Sequence, residues 1–244
     1  VPEIARTLAH MPYIAVWDDH DFGKNDCDGM IAGAHHAQRA FREYHVNPTY
    51  GTGERGVYTS CRVGPIEVFM LDTRTWANTG HSPFDGAKDT LLGPAQWEWL
   101  KRGLTTSTAP IKILASGMIW NGAVRPGKKD YWMNWPHEVQ GVFDFIAAQK
   151  ITGVVLMGGD IHLSRALRHD PASTHIPYPV FELISSPLAN TIIKEAAAPH
   201  PGLLGNAPVE ESFMLMTVTT ENGRTTFLAQ CLDKDQKEHF RVTF

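Results

Sequence analysis

No run of eighteen apolar residues occurs in the chain, which excludes a membrane-spanning helix. No block of Lys and Arg occurs either, and the formal net charge is −4, so duplex nucleic acid is not an expected partner. The densest basic pair, Lys128–Lys129, reads as a solvated loop. Cysteine is scarce: Cys27, Cys61 and Cys231 cannot build a disulfide scaffold, although one pair stays open. With 21 glycines and 16 prolines the chain is neither collagen-like nor of low complexity. The first residue is Val1, not methionine, which predicts that a segment preceded it; any signal peptide would lie there.

What is present alternates in period. Ile4, Leu8 and Met11 predict a helix that Pro12 stops. Tyr13–Trp17 predicts a short buried parallel strand. Met30, Ala34, Ala37, Phe41 and Tyr44 predict a helix from about Gly29 to Val46. GTGERG (Gly51–Gly56) matches a dinucleotide-binding spacing, but a helix precedes it and a strand follows, so it reads as a loop. Val57–Val63 and Ile66–Leu71 predict strands joined at Gly64–Pro65. Further strands are expected at Ile111–Ala115, Val154–Met157 and Val180–Ile184. Helices are expected after Pro94, from Pro136 and at Thr191–Ala198, with a long loop over 121–136. Asn222–Gly223 between two β-type runs predicts a C-terminal hairpin at about 212–232. The sum is one α/β layered domain over residues 1–244.

Three expected strands end in polar clusters: WDDHD, LDTR and GGDIH. Ligands of open α/β sheets bind beyond the carboxyl ends of strands, so these clusters should converge. Asp18, Asp19 and Asp21 around His20 repel one another unless a cation is present. In an extended segment Asp160 and His162 would face one centre together. His35 and His36, adjacent on a helix, should point apart, and His81, His137, His169, His175, His200 and His239 have no partner at ligand spacing. A serine hydrolase on Ser164 or Ser116 is disfavoured by the lack of a G-x-S-x-G elbow.

WDDHDFGKND with the following helix, LDTRTW, LGPAQWEWL, the loop through Asp130, Trp132 and Pro136, GGDIHLS and SSPLAN run in order along the chain. In these stretches it resembles the alkaline phosphatase D-like branch of the calcineurin-like metallophosphoesterases. The resemblance implies a layered metallophosphoesterase-like sandwich, mixed sheets flanked by helices, here N-terminally incomplete because the family's early G-S-C and G-D-x-x-Y-x-D motifs are not in the chain. It implies a phosphomonoesterase or phosphodiesterase that uses a metal-activated hydroxide and a histidine general acid. By the same resemblance His20 is the general acid, and Asp19, Asp160, His162 and Asn25 are metal ligands. Asp18 and Arg74 are candidate substrate contacts, with Asp72 and Arg74 expected as an ion pair bracing the site. Two or more divalent or trivalent ions are implied, with iron, calcium, zinc and manganese all open. The substrate would be a small phosphoester, with neither membrane nor duplex nucleic acid as a partner. Export to a periplasmic or extracellular location is expected on the same basis. The alternative is a truncated, inactive phosphoesterase-like domain.

Overall fold

Four parallel strands make the frame that positions everything else. The computed structural model describes residues 2–188 and 191–244, with side chains from Arg6 onward; the expected first helix is α1 (Pro2–His10), and the end of SSPLAN, Ala189–Asn190, lies outside that description. In the order β1-β2-β3-β4-β6-β5-β7, a seven-stranded sheet joins β1 (Thr59–Val63), β2 (Ile66–Met70), β3 (Ile111–Ala115), β4 (Val154–Gly158), β6 (Val180–Ile184), β5 (Ser164–His169) and β7 (Leu203–Ala207). Strands β2, β3, β4 and β6 run parallel, whereas β1, β5 and β7 join antiparallel. The expected hairpin at Gly64–Pro65 pairs Val63 with Ile66.

Alternate residues of the central strands feed two cores. Leu114 and Leu156 pack with Trp97, Leu100 and Leu104 of α4 (Gly93–Thr106) and Val139, Val142 and Ile146 of α5 (Pro136–Ala148). Ile113 and Val155 face the other way, onto Phe227, Ala229 and Val242. These three belong to a separate antiparallel sheet of β8 (Ser212–Glu221), β9 (Arg224–Asp233) and β10 (Glu238–Thr243). This is the period-2 pattern of a sheet covered on both faces, by helices on one side and by a second sheet on the other. Asn222 and Gly223 both take positive φ (51 and 77°), as a two-residue hairpin turn requires. The C-terminal unit is three-stranded, not the two-stranded hairpin expected, because β10 pairs along β9.

Several other expectations are corrected. Tyr13–Trp17 is extended but belongs to no sheet. The Asn47 side chain takes the place of a neighbouring strand: Ala15 N–H donates to Asn47 Oδ1 (3.0 Å) and Asn47 Nδ2 donates to Ala15 O (2.7 Å). The next helix begins at Ala34, not Gly29, and runs to Tyr44 as α3. Gly33, at φ 84°, breaks the helical path there. Residues 194–197 form one 3₁₀ turn in place of the expected helix. Strands β5, β7 and β10 were not expected; β5 carries Ser164, Arg165 and Arg168, too polar to resemble a buried run. Among the described residues no helix is long and apolar enough to cross a membrane.

Candidate metal-dependent active site

The carboxyl ends of the parallel strands open onto one acidic centre. Asp72–Arg74 follows β2, Gly117 follows β3, Asp160–His162 follows β4, and Ser185–Ser186 follows β6. The 12–18 segment reaches the same place through Trp17, which is buried against Phe22, Phe41 and Val57. Its indole N–H donates to Asp72 Oδ1 (2.8 Å). A four-residue helix, α2 (Asp19–Phe22), starts directly afterwards, with Asp18 N–H bonded to Asp21 Oδ2 (3.1 Å). Gly117 lies under Asp18: a Cβ there would stand 2.3 Å from Asp18 Cγ.

Ligating atoms of Asp18, Asp19 and Asp160 lie within 4.8 Å of one another, as do those of Asp19, Asp26 and Asp130. Asp19 links the two groups. It is 3% exposed, and its oxygens accept main-chain N–H groups of His20 (2.8 Å) and Asp26 (2.7 Å). Burial pushes Asp18 up to about 7; the Asp160 and Asp19 carboxylates add to this and Arg74 opposes it. Burial also raises Asp160, against the pull of Lys128. Asp26 is raised by its hydrogen bond with Asp130 and by burial.

Two cations thread these carboxylates. Arg74 is 1% exposed and each guanidinium nitrogen bonds a protein acceptor. Nε donates to Asp18 Oδ1 (2.7 Å), Nη1 to Cys27 O (3.0 Å) and Nη2 to Asp130 Oδ2 (2.7 Å), with a further short contact from Nη2 to Asp18. The expected Asp72–Arg74 ion pair is not formed. Asp72 is spent on main-chain N–H groups of Val57, Arg74 and Thr75 and on Trp17, because it closes the turn after β2. Lys128 is not solvated as expected: its side chain is 4% exposed, and Nζ contacts Asp160 (2.6 Å), Asp26 (3.3 Å) and, closely, Asp130. The Trp120–Trp132 stack (3.8 Å) and the Trp132 indole bond to Ser116 Oγ (2.9 Å) hold the loop that carries Lys128 and Asp130.

His20, Asn25, Asp160 and His162 line one cavity of about 360 Å³ together with Lys128. His20 and Asn25 are exposed. Asp160 and His162 do not meet by strand alternation as expected; both take positive φ (67 and 53°) in an irregular turn after β4. Such backbone is uncommon outside glycine and clusters at functional sites. His162 Nδ1 stands 2.9 Å from Thr191 O, a main-chain acceptor that assigns the proton to Nδ1 and leaves Nε2 as the free lone pair. A larger cavity of about 510 Å³, lined by Arg74, Asn78, Asp130, Trp135 and His137, adjoins it, the two sharing Asp26 and Lys129.

The donor set fits a hard metal ion. Three carboxylates from two distant stretches of the chain converge, and Asp160 Oδ2 is buried without a well-directed hydrogen bond although Lys128 Nζ is close. Carboxylate oxygens with an imidazole nearby suit calcium, manganese, iron or zinc. Sequence reasoning placed no role on Lys128, Asp26 or Asp130; the only signal was the position of Asp26 and Asp130 inside the resembling stretches.

Elsewhere the histidines behave less uniformly than expected. His169, His175 and His239 pair with Glu182, Asp144 and Asp233. His35 and His36 do not point apart: their exposed ring centroids are 3.9 Å from each other. Ser164 Oγ is buried against Ser186 and Ser212, and Ser116 Oγ against Met118 O and Trp132, so neither resembles an activated nucleophile. All three cysteines are free.

A family model described as PhoD-like phosphatase matches residues 2–224. The chain belongs to the PhoD-like phosphatase family. Alkaline phosphatase D of Bacillus subtilis (strain 168) is 26% identical to it over 187 residues, covering 65% of this chain and 32% of that protein. A solved structure of PhoD superposes with a TM-score of 0.62 at 20% identity, covering 95% of this chain and 55% of that one. Purple acid phosphatase PPD1 from yellow lupin seeds superposes at 0.61 with 11% identity, covering 95% and 40%. This PhoD-like chain thus spans about a third of the curated relative and about half of the PhoD structure. The two superpositions carry the fold, a mixed sheet flanked by helices that this chain shares with both phosphatases.

Proposed function

We propose that this chain hydrolyses small-molecule phosphoesters with a metal ion held by Asp18, Asp19 and Asp160. The observation that carries the reading is the convergence of these carboxylates beside a cavity lined by His20, Asn25 and His162. Family membership supports the reaction class. A divalent or trivalent ion would supply Lewis-acid polarisation of the phosphoryl oxygens.

The chain's own residues would do the rest. Arg74 holds the Asp18 and Asp130 carboxylates in place through Nε and Nη2 and so acts as a positioning residue. His162, with Nδ1 tied to a carbonyl, offers Nε2 to the ion or to the phosphoester. Asn25 offers a neutral amide to the same cavity. His20, at the cavity wall, is the proton donor to the departing alcohol oxygen.

The test is metal content and turnover of p-nitrophenyl phosphate and bis(p-nitrophenyl) phosphate by the 244-residue chain and by Asp160→Asn. Bound metal and turnover in the parent, both lost in Asp160→Asn, are expected. Full metal occupancy in the variant would remove Asp160 from the ligand set, and turnover insensitive to a chelator would overturn the metal-dependent reading.

A further inference from the structure

Lys128 is a buried cation to which the resemblance assigns no part. A lysine ammonium has three N–H donors and no acceptor. Here it faces three carboxylates: it donates to Asp26 (3.3 Å) and, closer still, to Asp130, and forms an ion pair with Asp160 (2.6 Å). Its side chain is only 4% exposed, so the ammonium is held among these carboxylates at the edge of the cavity. The loop delivers it by design of its turn: Gly127 takes φ 84° and Lys128 N–H donates to Arg125 O (3.3 Å). On its far side Asp130 is held by Arg74, so Lys128 sits between carboxylates that are themselves fixed.

The two carboxylate groups around Asp19 therefore differ in charge. Asp26 and Asp130 of one group are neutralised from within the protein. In the other, Arg74 reaches Asp18, but among the described residues the Asp19 carboxylate has only main-chain N–H partners and Asp160 shares Lys128 with two others. Uncompensated negative charge is thus concentrated between Asp18, Asp19 and Asp160. A metal ion entering between Asp19, Asp26 and Asp130 would compete with a buried ammonium already bonded to two of these carboxylates, and would meet it as a like charge.

We propose that Lys128 is the built-in second cation of this site: it neutralises Asp26 and Asp130 of the Asp19–Asp26–Asp130 group, so the chain binds one exchangeable metal ion where the resemblance implies two or more. The inference rests on the metal-dependent reading above. Lys128 is in this sense a positioning residue, setting the ion count without touching the phosphoester.

The experiment is titration of the chelator-treated 244-residue chain with Mn²⁺, counted by native mass spectrometry. Acetylation of Lys128 by a water-soluble reagent is read by peptide mapping before and after loading. One Mn²⁺ per chain, with Lys128 shielded in both states, is expected. Lys128→Gln, checked for folding by circular dichroism, should bind two. Two ions in the parent chain, or Lys128 becoming reactive on loading, overturns this inference and leaves the metal-dependent reading standing. A folded Lys128→Gln that still binds one ion also overturns it. No ion in either protein overturns both. The labelling and the parent-chain count decide the matter even where the variant fails to fold.

Discussion

His20 and Gly117 mark the two kinds of residue this site depends on, one chemical and one steric. His20 is exposed and stands outside the ion-pair network that fixes Asp18, Asp130 and Asp160, so its removal should leave the fold intact. His20→Ala should lower kcat by about a hundred- to ten-thousand-fold, the usual worth of a general acid, with the circular dichroism spectrum unchanged. An undiminished kcat would take His20 out of the mechanism. Gly117 acts by having no side chain. A methyl there would press on the Asp18 carboxyl at 2.3 Å, and Asp18 cannot retreat while Arg74 grips it. Gly117→Ala should therefore weaken metal binding by about ten- to a hundredfold, as loss of a ligand's support does, measured by calorimetric titration. The residues that sequence reasoning misjudged are instructive. Lys128 looked like a solvated loop because Asp130 is its one acidic partner nearby in the chain; the other two come from the distant positions 26 and 160.

Elements with strong local periodicity formed where their residues predict. Helix α5 starts on Pro136, and β3, β4 and β6 fall on their apolar runs. Elements that depend on a distant partner did not: the 13–17 segment has strand composition, yet its backbone is satisfied by Asn47. The seam between β4 and the chain entering β6 offers a test of such long-range fastening. Tyr178 OH donates to Ile151 O (2.9 Å), accepts from Val154 N–H (3.4 Å) and packs against the helical core. Burial pushes its phenol up to about 12, with the Val154 N–H opposing. A raised pKa means the folded state holds the proton longer than the unfolded chain, whose tyrosines titrate near about 10. The associated stability is fully present below pH about 10 and is lost as pH rises towards about 12. Tyr178→Phe should cost about 1 kcal/mol near neutral pH, the typical net worth of one hydrogen bond. In urea titrations the gap between parent and variant should close across that alkaline window; a gap that persists there would show that the phenol does not titrate as its burial implies.

At the scale of the whole molecule the proposed metal ion is a clasp. Asp18 and Asp19 lie near one end of the chain and Asp160 far along it, and the ion would tie them together only in the folded state. Ligands that bind only the native state stabilise it by mass action, by about 2.7 kcal/mol at a hundred times Kd. Mn²⁺ or Ca²⁺ should therefore raise the Tm of chelator-treated protein, and Asp160→Asn should abolish the rise, as read by scanning calorimetry. An equal rise in the variant would place the stabilising ion elsewhere. The layered α/β class, the central strands, the two main helices and the motif residues were legible in the sequence, because hydrophobic period and turn chemistry are local properties. The antiparallel strands β5, β7 and β10 were not, because their pairing is decided by neighbours far away in the chain. The sequence by itself determined which carboxylates and histidines this protein has to work with. Only the tertiary structure decided that Arg74 pairs with Asp18 and Asp130 and not with Asp72, and that Lys128 lies buried among acids. The physical reason is that charge compensation depends on distances through space, and those exist only once the strand ends and the loops between them have been brought together.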